Sequence, residues 1–536
     1  MRSSRPPLVA NLKRMTEDFQ GGLTAFVLAG GGTKGSFEVG ALQYLVGTER
    51  IIPDIITATS AGAIVASVLA QARTFAEFDR RVQEVEDDIL AMTRTEQIFG
   101  EQAWLRALEG TALGGEIRVA LTEGTRPQLP AVQLAGIDES APTLAVGNGK
   151  VEAGVVASPA TSRFLRSSRA TSSAHILSSA QSSSTTQSSR SSRSLRRAEK
   201  KVRRRKRRRV QRLFAGAAFR LPKARRKFRS SGSAVLNLKP LADAIRYGGP
   251  SGIHPVEPAL IARPGLQLRL AVTALRAGVL RYVTQDGTIV EEDAVTPASG
   301  VAAGPVDLID GVIASASVPL VFPPRPLADD DYVDGGVLQL VPVRAAVQLG
   351  AKRIIAVMAI PLQIDRDERN YSEDNAANVG LRALGAIAMA DRQRENLAVP
   401  LPPSAQLTTI DPVIDVVGYF EVEPGLLRIN RDYGWLRAAD VMADGDATLL
   451  ADMAAETHRL TAARLRAWHL EETIWDSDQV GAGAGAGAAD ADAGTVAVLR
   501  EIKGQVYDIV DKRKQLGFPV PDGCEAWWTG YETHGH

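Results

Sequence analysis

Three short stretches of this 536-residue chain hold side chains and amides suited to breaking an ester. The first, "LAGGGTKGSFEVGAL" at 28–42, sets Gly30, Gly31, Gly32 and Gly35 around Lys34, after a short β-rich run and at the start of a helical pattern. Such a turn presents successive backbone N–H groups to an anion, either a pyrophosphate or the oxyanion of an ester under attack. A dinucleotide fold also requires an acid at the end of the next strand. Here Glu49 and Asp54 precede the strand "DIITAT", whose end carries Thr59 and Ser60. A P-loop requires Gly-Lys-Ser/Thr, whereas this chain runs Lys34-Gly35-Ser36. Standing alone, the run is also consistent with a plain tight turn.

The second stretch, "TATSAGAI", puts Ser60 between a strand and a helix, where a nucleophile elbow holds its serine. Gly62 meets the demand for a small residue two positions on, and Ala58 stands where the first glycine is usual. Alone, Ser60 reads more readily as a helix N-cap than as a nucleophile. The third, "DYVDGGVLQLVPV", ends a strand with Asp334 before Gly335 and Gly336. Serine needs a base, and a carboxylate in a dry site can serve. The six histidines fall in loops, in a Ser-rich tract, on a terminal helix or at the end of the chain, so none is a ready partner. An ordinary Asp-Gly turn is the plainer reading of Asp334.

These residues meet only if the right elements carry them. Strand and helix patterns alternate from residue 23 to about 150, which predicts βαβ units and a parallel sheet. A βαβ crossover brings the glycine loop and the serine turn to one carboxyl edge. There the amides of Gly31 and Gly32 would face a carbonyl attacked by Ser60, with the helix starting near Ala61 adding its positive end. The pattern returns at "LQLRLAVTAL" and runs through "RPLADDDYVDGGVLQLVPVRAAVQLGAKRIIAVMAI", so one α/β domain, 23–365, is split by an insertion at 151–232. A tail at 1–22 precedes it. A helical region at 366–475, a Gly/Ala linker at 476–495 and a tail at 496–536 with one more helix follow it.

Taken together, the three motifs resemble those of the patatin-like phospholipase family: Gly30-Gly31-Gly32-Thr33-Lys34-Gly35, Ala58-Thr59-Ser60-Ala61-Gly62 and Asp334-Gly335-Gly336. "ASASVPLVFPP" before the aspartate and "PVRAAVQLGAKRIIAV" after it are similar to the family as well. The resemblance implies a central, mostly parallel sheet flanked by helices. It also implies a Ser-Asp dyad that hydrolyses acyl esters of lipids, as phospholipases A and lysophospholipases do, with no metal or cofactor. By the same resemblance Ser60 is the nucleophile and Asp334 the base. Gly30, Gly31, Gly32 and Ala61 form the oxyanion hole, with Lys34, Gly35, Gly62, Gly335 and Gly336 in support. The chain departs from the family at Ala58 and at Gln339-Leu340, where members often carry Asn or Asp before the proline.

Composition narrows the setting. With 45% hydrophobic and 23% charged residues the chain reads as globular, and its single cysteine, Cys524, excludes an intrachain disulfide framework. No signal-like or membrane-spanning run is apparent, which predicts a cytoplasmic protein. The net charge of +2 hides an asymmetry: residues 190–229 hold 20 Lys/Arg and one acid, a local +19, leaving −17 elsewhere. The Ser-rich and basic insertion is too polar to form a core and is expected to be disordered. Val210, Leu213, Phe214, Ala217, Ala218 and Leu221 recur at helical spacing beside arginines, a pattern suited to an anionic membrane surface, although nucleic acid attracts the same charge. Besides a lipid ester hydrolase, a silent scaffold whose basic arm binds membrane or nucleic acid remains open, with a dinucleotide enzyme behind it.

Overall fold

The computed structural model describes residues 22–111, 114–115, 117–118, 234–249, 253–300, 304–328, 330–364, 370–373, 379–481 and 492–532. The expectations for the 1–22 tail beyond Gly22, the 151–232 insertion with its basic arm, and most of the 476–495 linker lie outside these residues.

Eleven strands are described: β1 (Leu23–Leu28), β2 (Ile55–Ala58), β3 (Gly100–Glu101), β4 (Leu236–Asn237), β5 (Gln267–Ala274), β6 (Val279–Thr284), β7 (Ile289–Val290), β8 (Arg325–Leu327), β9 (Asp330–Asp334), β10 (Ala351–Val357) and β11 (Gln406–Ile410). Nine form one sheet, with β3 and β4 making a separate small ribbon. Five run parallel in the order β11-β10-β1-β2-β5. Beyond β5 the sheet turns antiparallel through β6 and β7, and β9 pairs antiparallel with both β5 and β8. The predicted α/β architecture with a mostly parallel centre is therefore the observed one.

The helices of six or more residues that bear on the site are α1 (Ser36–Leu42), α2 (Ala61–Leu69), α3 (Phe75–Leu90), α4 (Lys239–Tyr247), α5 (Leu308–Ser315), α6 (Val343–Gln348), α7 (Ala388–Leu397), α8 (Pro424–Met442), α9 (Ala447–Gly481) and α10 (Asp492–Gln515). Alternation along the central strands shows how they are layered. In β1, Phe26 and Leu28 join the core beneath α1, α2 and α8, while Ala25 and Val27 join a second core with Val343 and Ala346 of α6. Successive side chains of a strand point to opposite faces, so a strand apolar at every position must be covered on both. Residues 25–28 are fully buried accordingly. α3 begins at a capping box: Thr74 Oγ1 accepts from the Glu77 amide, and the Glu77 carboxylate accepts from the Thr74 amide.

Two boundaries differ from the sequence reading. The 366–475 region is mainly helical but also contributes β11, which pairs with β10 and finishes the parallel sheet. Its half-polar pattern, Gln406-Leu407-Thr408-Thr409-Ile410, is that of an edge strand, too short to stand out in a helical background. α9 also runs to Gly481, past the expected linker start at 476. Among the described residues, no helix is long and apolar enough to cross a membrane.

Candidate active site

The strands that carry the motifs end level with one another. Leu28 of β1 pairs with Ala58 of β2 and with Val357 of β10, and Ala58 pairs in turn with Leu270 of β5. Both loops therefore leave the sheet at one edge, as the βαβ reading requires. At Ser60 the backbone adopts φ 55° and ψ −123°, outside the regions that a non-glycine residue ordinarily occupies. Its amide donates to Ser315 Oγ at 3.0 Å, and Ser315 Oγ donates to the Ala271 carbonyl at 2.7 Å, so α5 braces the strained turn. A Cβ on Gly62 would lie 2.6 Å from the Ala29 carbonyl oxygen, so only glycine lets α2 start this close to β1. Ala58 itself is fully buried.

Asp334 reaches the same edge from the antiparallel side, where β9 pairs with β5 and Val272 lies opposite Asp334. Its amide donates to the Ser317 carbonyl at 3.0 Å, and its own carbonyl accepts from Thr273 Oγ1 at 3.0 Å. Oδ1 accepts the Gly336 amide at 2.6 Å, so the Gly335-Gly336 turn fixes the carboxylate's orientation. Burial drives its pKa up to about 7, against the opposing pull of hydrogen bonding from Ser60 and from the Gly336 amide. Oδ2 is buried and has no well-aligned donor. The Ser60 hydroxyl lies close enough to the carboxylate for its hydrogen bonding to oppose the rise in the Asp334 pKa. A serine facing a buried carboxylate of near-neutral pKa can lose its proton to that carboxylate as it attacks.

The glycine loop follows β1 directly. The Gly30 amide donates to the Leu340 carbonyl at 3.3 Å, so Gly30 is not an available donor, contrary to the resemblance-based reading. What it supplies is room, since a Cβ there would meet Ser60 Cβ at 2.9 Å. The amides of Gly31, Gly32 and Ala61 bond to no acceptor among the described residues. Gly32 has φ 60° and sits against the Tyr419 carbonyl, where a Cβ would come within 2.1 Å. Gly35 lies beside Ala61, and Lys34 is 2% exposed.

What secures the loop comes from far along the chain. Between β11 and α8, Asp415 pairs with Lys34 Nζ, the Gly418 carbonyl accepts from Thr33 Oγ1, and the Tyr419 carbonyl accepts the Thr33 amide at 3.1 Å. Lys34 Nζ also lies 4.3 Å from the centre of the Tyr419 ring. From α8, Asn430 Nδ2 donates to the Lys34 carbonyl at 3.1 Å and to Ser36 Oγ at 2.8 Å. On the other side, Gln339 Oε1 accepts from the Tyr282 hydroxyl and the Gln339 carbonyl accepts from Thr59 Oγ1. The Leu340 and Val341 amides donate to Asn396 Oδ1. Gln339-Leu340, the departure noted in the sequence, is therefore built into the support of the elbow. Beneath the loop, Glu38 is fully buried with neither oxygen paired, and burial holds its pKa well above the usual carboxylate range.

A cavity opens from Ser60 along α2, lined by Ile64, Val65, Val68, Phe99, Phe322 and other apolar side chains, with Gly32 and Ala61 at its Ser60 end. Apart from a few polar groups its lining is apolar, as small-molecule sites commonly are. Sequence reasoning found Ser60, Asp334 and the glycine loop but missed Ser315, Asn396, Asp415, Tyr419 and Asn430. Ser315 stands in the family-like stretch "ASASVPLVFPP" with no role assigned to it there, and the others carry no local signal, because each acts through a partner at least 55 residues away.

A family model described as patatin-like phospholipase matches residues 26–347, more than half of the chain and the part holding all three motifs. No curated protein matches the chain. Among solved structures, the crystal structure of VipD from Legionella pneumophila is similar over 94% of this chain and 82% of that one, at 14% identity and a TM-score of 0.26. That score is too low to bear on the site.

Proposed function

This chain belongs to the patatin-like phospholipase family, and from that premise we propose that it is a serine acyl hydrolase cleaving acyl esters of lipids through a Ser60–Asp334 dyad. Membership by itself implies lipid acyl hydrolysis; the dyad is the finer reading. The observation that carries it is the meeting of Ser60, on a backbone at φ 55°, with a buried Asp334 whose pKa is near 7.

In the reaction, Asp334 takes the Ser60 hydroxyl proton while Oγ bonds to the acyl carbon, and the carbonyl oxygen becomes an oxyanion. The amides of Gly31, Gly32 and Ala61 receive it at the positive end of α2, where one such donor is worth about 10²- to 10³-fold in rate. Asp334 then protonates the departing alcohol, leaving Ser60 acylated with its chain in the apolar cavity. Water, deprotonated by Asp334, attacks the acyl carbon and restores Ser60 as the fatty acid leaves. The elbow's backbone strain keeps Oγ exposed to the cavity end rather than turned into a cap.

Labelling with a fluorophosphonate probe, alongside hydrolysis of 4-nitrophenyl acyl esters, tests the reading. Wild type is expected to label and turn over, whereas Ser60→Ala and Asp334→Asn do neither while retaining their circular dichroism. Turnover by Ser60→Ala equal to wild type refutes the dyad. A folded wild type that neither labels nor hydrolyses points to a silent scaffold.

A further inference from the structure

Resting on that reading of Ser60, we propose that the acyl cavity accepts a chain bearing a hydroxyl group, held by Asp88 and His254. Five residues with polar side chains line the cavity: Thr33, Ser36, Ser60, Asp88 and His254. Thr33 Oγ1 is committed to the Gly418 carbonyl, while Ser36 Oγ donates to the Thr33 carbonyl and accepts from Asn430. With Ser60 engaged in the reaction, Asp88 and His254 are the polar groups left to meet a ligand.

Their mutual bonding uses only part of their capacity. Asp88 Oδ1 accepts both the His254 amide, at 3.0 Å, and His254 Nδ1, at 2.8 Å. Asp88 Oδ2 and His254 Nε2 bond to nothing among the described residues, and neither is among the sealed, unpaired polar atoms of the interior, so both face open space. Oδ1 alone suffices to tie α3 to the His254 segment, which leaves Oδ2 without a structural task. With Nδ1 bonded to Asp88, Nε2 can accept from a hydroxyl when the ring is neutral or donate to its oxygen when the ring is charged, beside the Oδ2 acceptor. A hydroxyl fits either atom. The apolar side chains around the pair, Val85, Ile89, Met92 and Ile253, disfavour an ammonium group, whose desolvation costs far more than that of a hydroxyl.

Position bears on which carbon carries the group. The cavity follows the α2 face of Ala61, Ile64, Val65 and Val68, which spans about 10 Å at the helical rise per residue. The segment bearing His254 is anchored past the far end of that helix, where the Glu257 amide donates to Gln71 Oε1 at 3.0 Å and Arg73 Nη2 donates to the Ile261 carbonyl at 2.9 Å. His254 lies three residues before that anchor, and α3, which carries Asp88 near its end, runs back towards the glycine loop, with Asp79 beside Gly47 and Glu86 bonded to Gln43; the hydroxyl is thus not confined to the far end of the chain.

The test compares 4-nitrophenyl dodecanoate with its 3-, 8-, 10- and 12-hydroxy derivatives. At least one of the hydroxy esters is expected to exceed dodecanoate in kcat/KM by about tenfold, mostly through KM, as one hydrogen bond to a charged group allows. Asp88→Asn and His254→Leu should each reduce that ratio towards one. Because the ratio is taken within each variant, partial loss of folded protein cancels. A second measurement, displacement of a fluorescent fatty acid from Ser60→Ala protein by the corresponding free acids, decides the matter without turnover. Equal binding of dodecanoic acid and all its hydroxy derivatives, or a preference that survives both substitutions, overturns the proposal. Turnover lost in wild type with the binding preference intact would instead count against the dyad.

Discussion

If Asp334 is the base, acidification must switch the reaction off well above the range where an ordinary aspartate titrates. Its burial raises the folded pKa to about 7 from an ordinary 3.8. At pH 5 only about 1% of the folded protein would then carry the carboxylate, against about 94% for an unshifted group. The assay is kcat/KM for a neutral ester from pH 5 to 8.5, which reports the free enzyme. The expected profile rises about tenfold per unit to a midpoint near 7 and then levels. The same shift has a cost in stability. Between pH 3.8 and 7 the folded state holds a proton that the unfolded chain has already released, so stability falls as pH rises through that window and is level above it. From pH 5 to 8 the loss comes to roughly 2 to 3 kcal/mol. Asp334→Asn lacks this dependence, so urea unfolding of wild type and variant at the two pH values should show the variant gaining by that amount at pH 8 relative to pH 5. Glu38 and every other titrating group are common to both proteins and cancel in the difference. A flat rate profile down to pH 5, or equal pH dependence of the two proteins' stability, would refute the assignment of a raised Asp334.

Two further outcomes follow from the supports of the site. Ser315→Ala removes a hydroxyl that serves both the Ser60 amide and the Ala271 carbonyl, both buried; it should cost about 2 to 3 kcal/mol by chemical denaturation and lower kcat more than it raises KM. Glu38→Gln removes a buried carboxyl whose pKa burial holds well above 4.5. Because wild type loses stability as pH rises through and beyond the unfolded value, the variant should melt higher than wild type at pH 8, with the gap narrowing towards pH 5, and a gap constant across that range would place the Glu38 carboxyl in contact with water.

What the sequence disclosed divides along a physical line. Gly30 to Gly35, Ser60 and Asp334 were legible because the turns beside them leave no room for a Cβ at Gly30, Gly62 and Gly335 or hold a positive φ at Gly32, and glycines mark such places within a few residues. The ladder of β1, β2 and β5 was legible because a strand buried on both faces is apolar without alternation. β11 was not, since its Thr408 and Thr409 are those of a strand with a half-covered edge, and nothing local separates that from a polar helix face. The clamp on the glycine loop was hidden for a different reason. Lys34 reads from sequence as a surface charge, and only the arrival of Asp415, 381 residues on, permits its burial. The same contacts join the two regions that composition separates: Asp415, Gly418, Tyr419 and Asn430 all lie beyond residue 347, where the family match ends, yet they hold Thr33, Lys34 and Ser36. If the glycine loop receives the oxyanion as proposed, it must be fixed before charge develops, because donors that reorganise during the reaction forfeit much of their effect. In this chain that rigidity depends on the helical region after the sheet, so the 366–475 segment belongs to the site's framework and is no appendage to it.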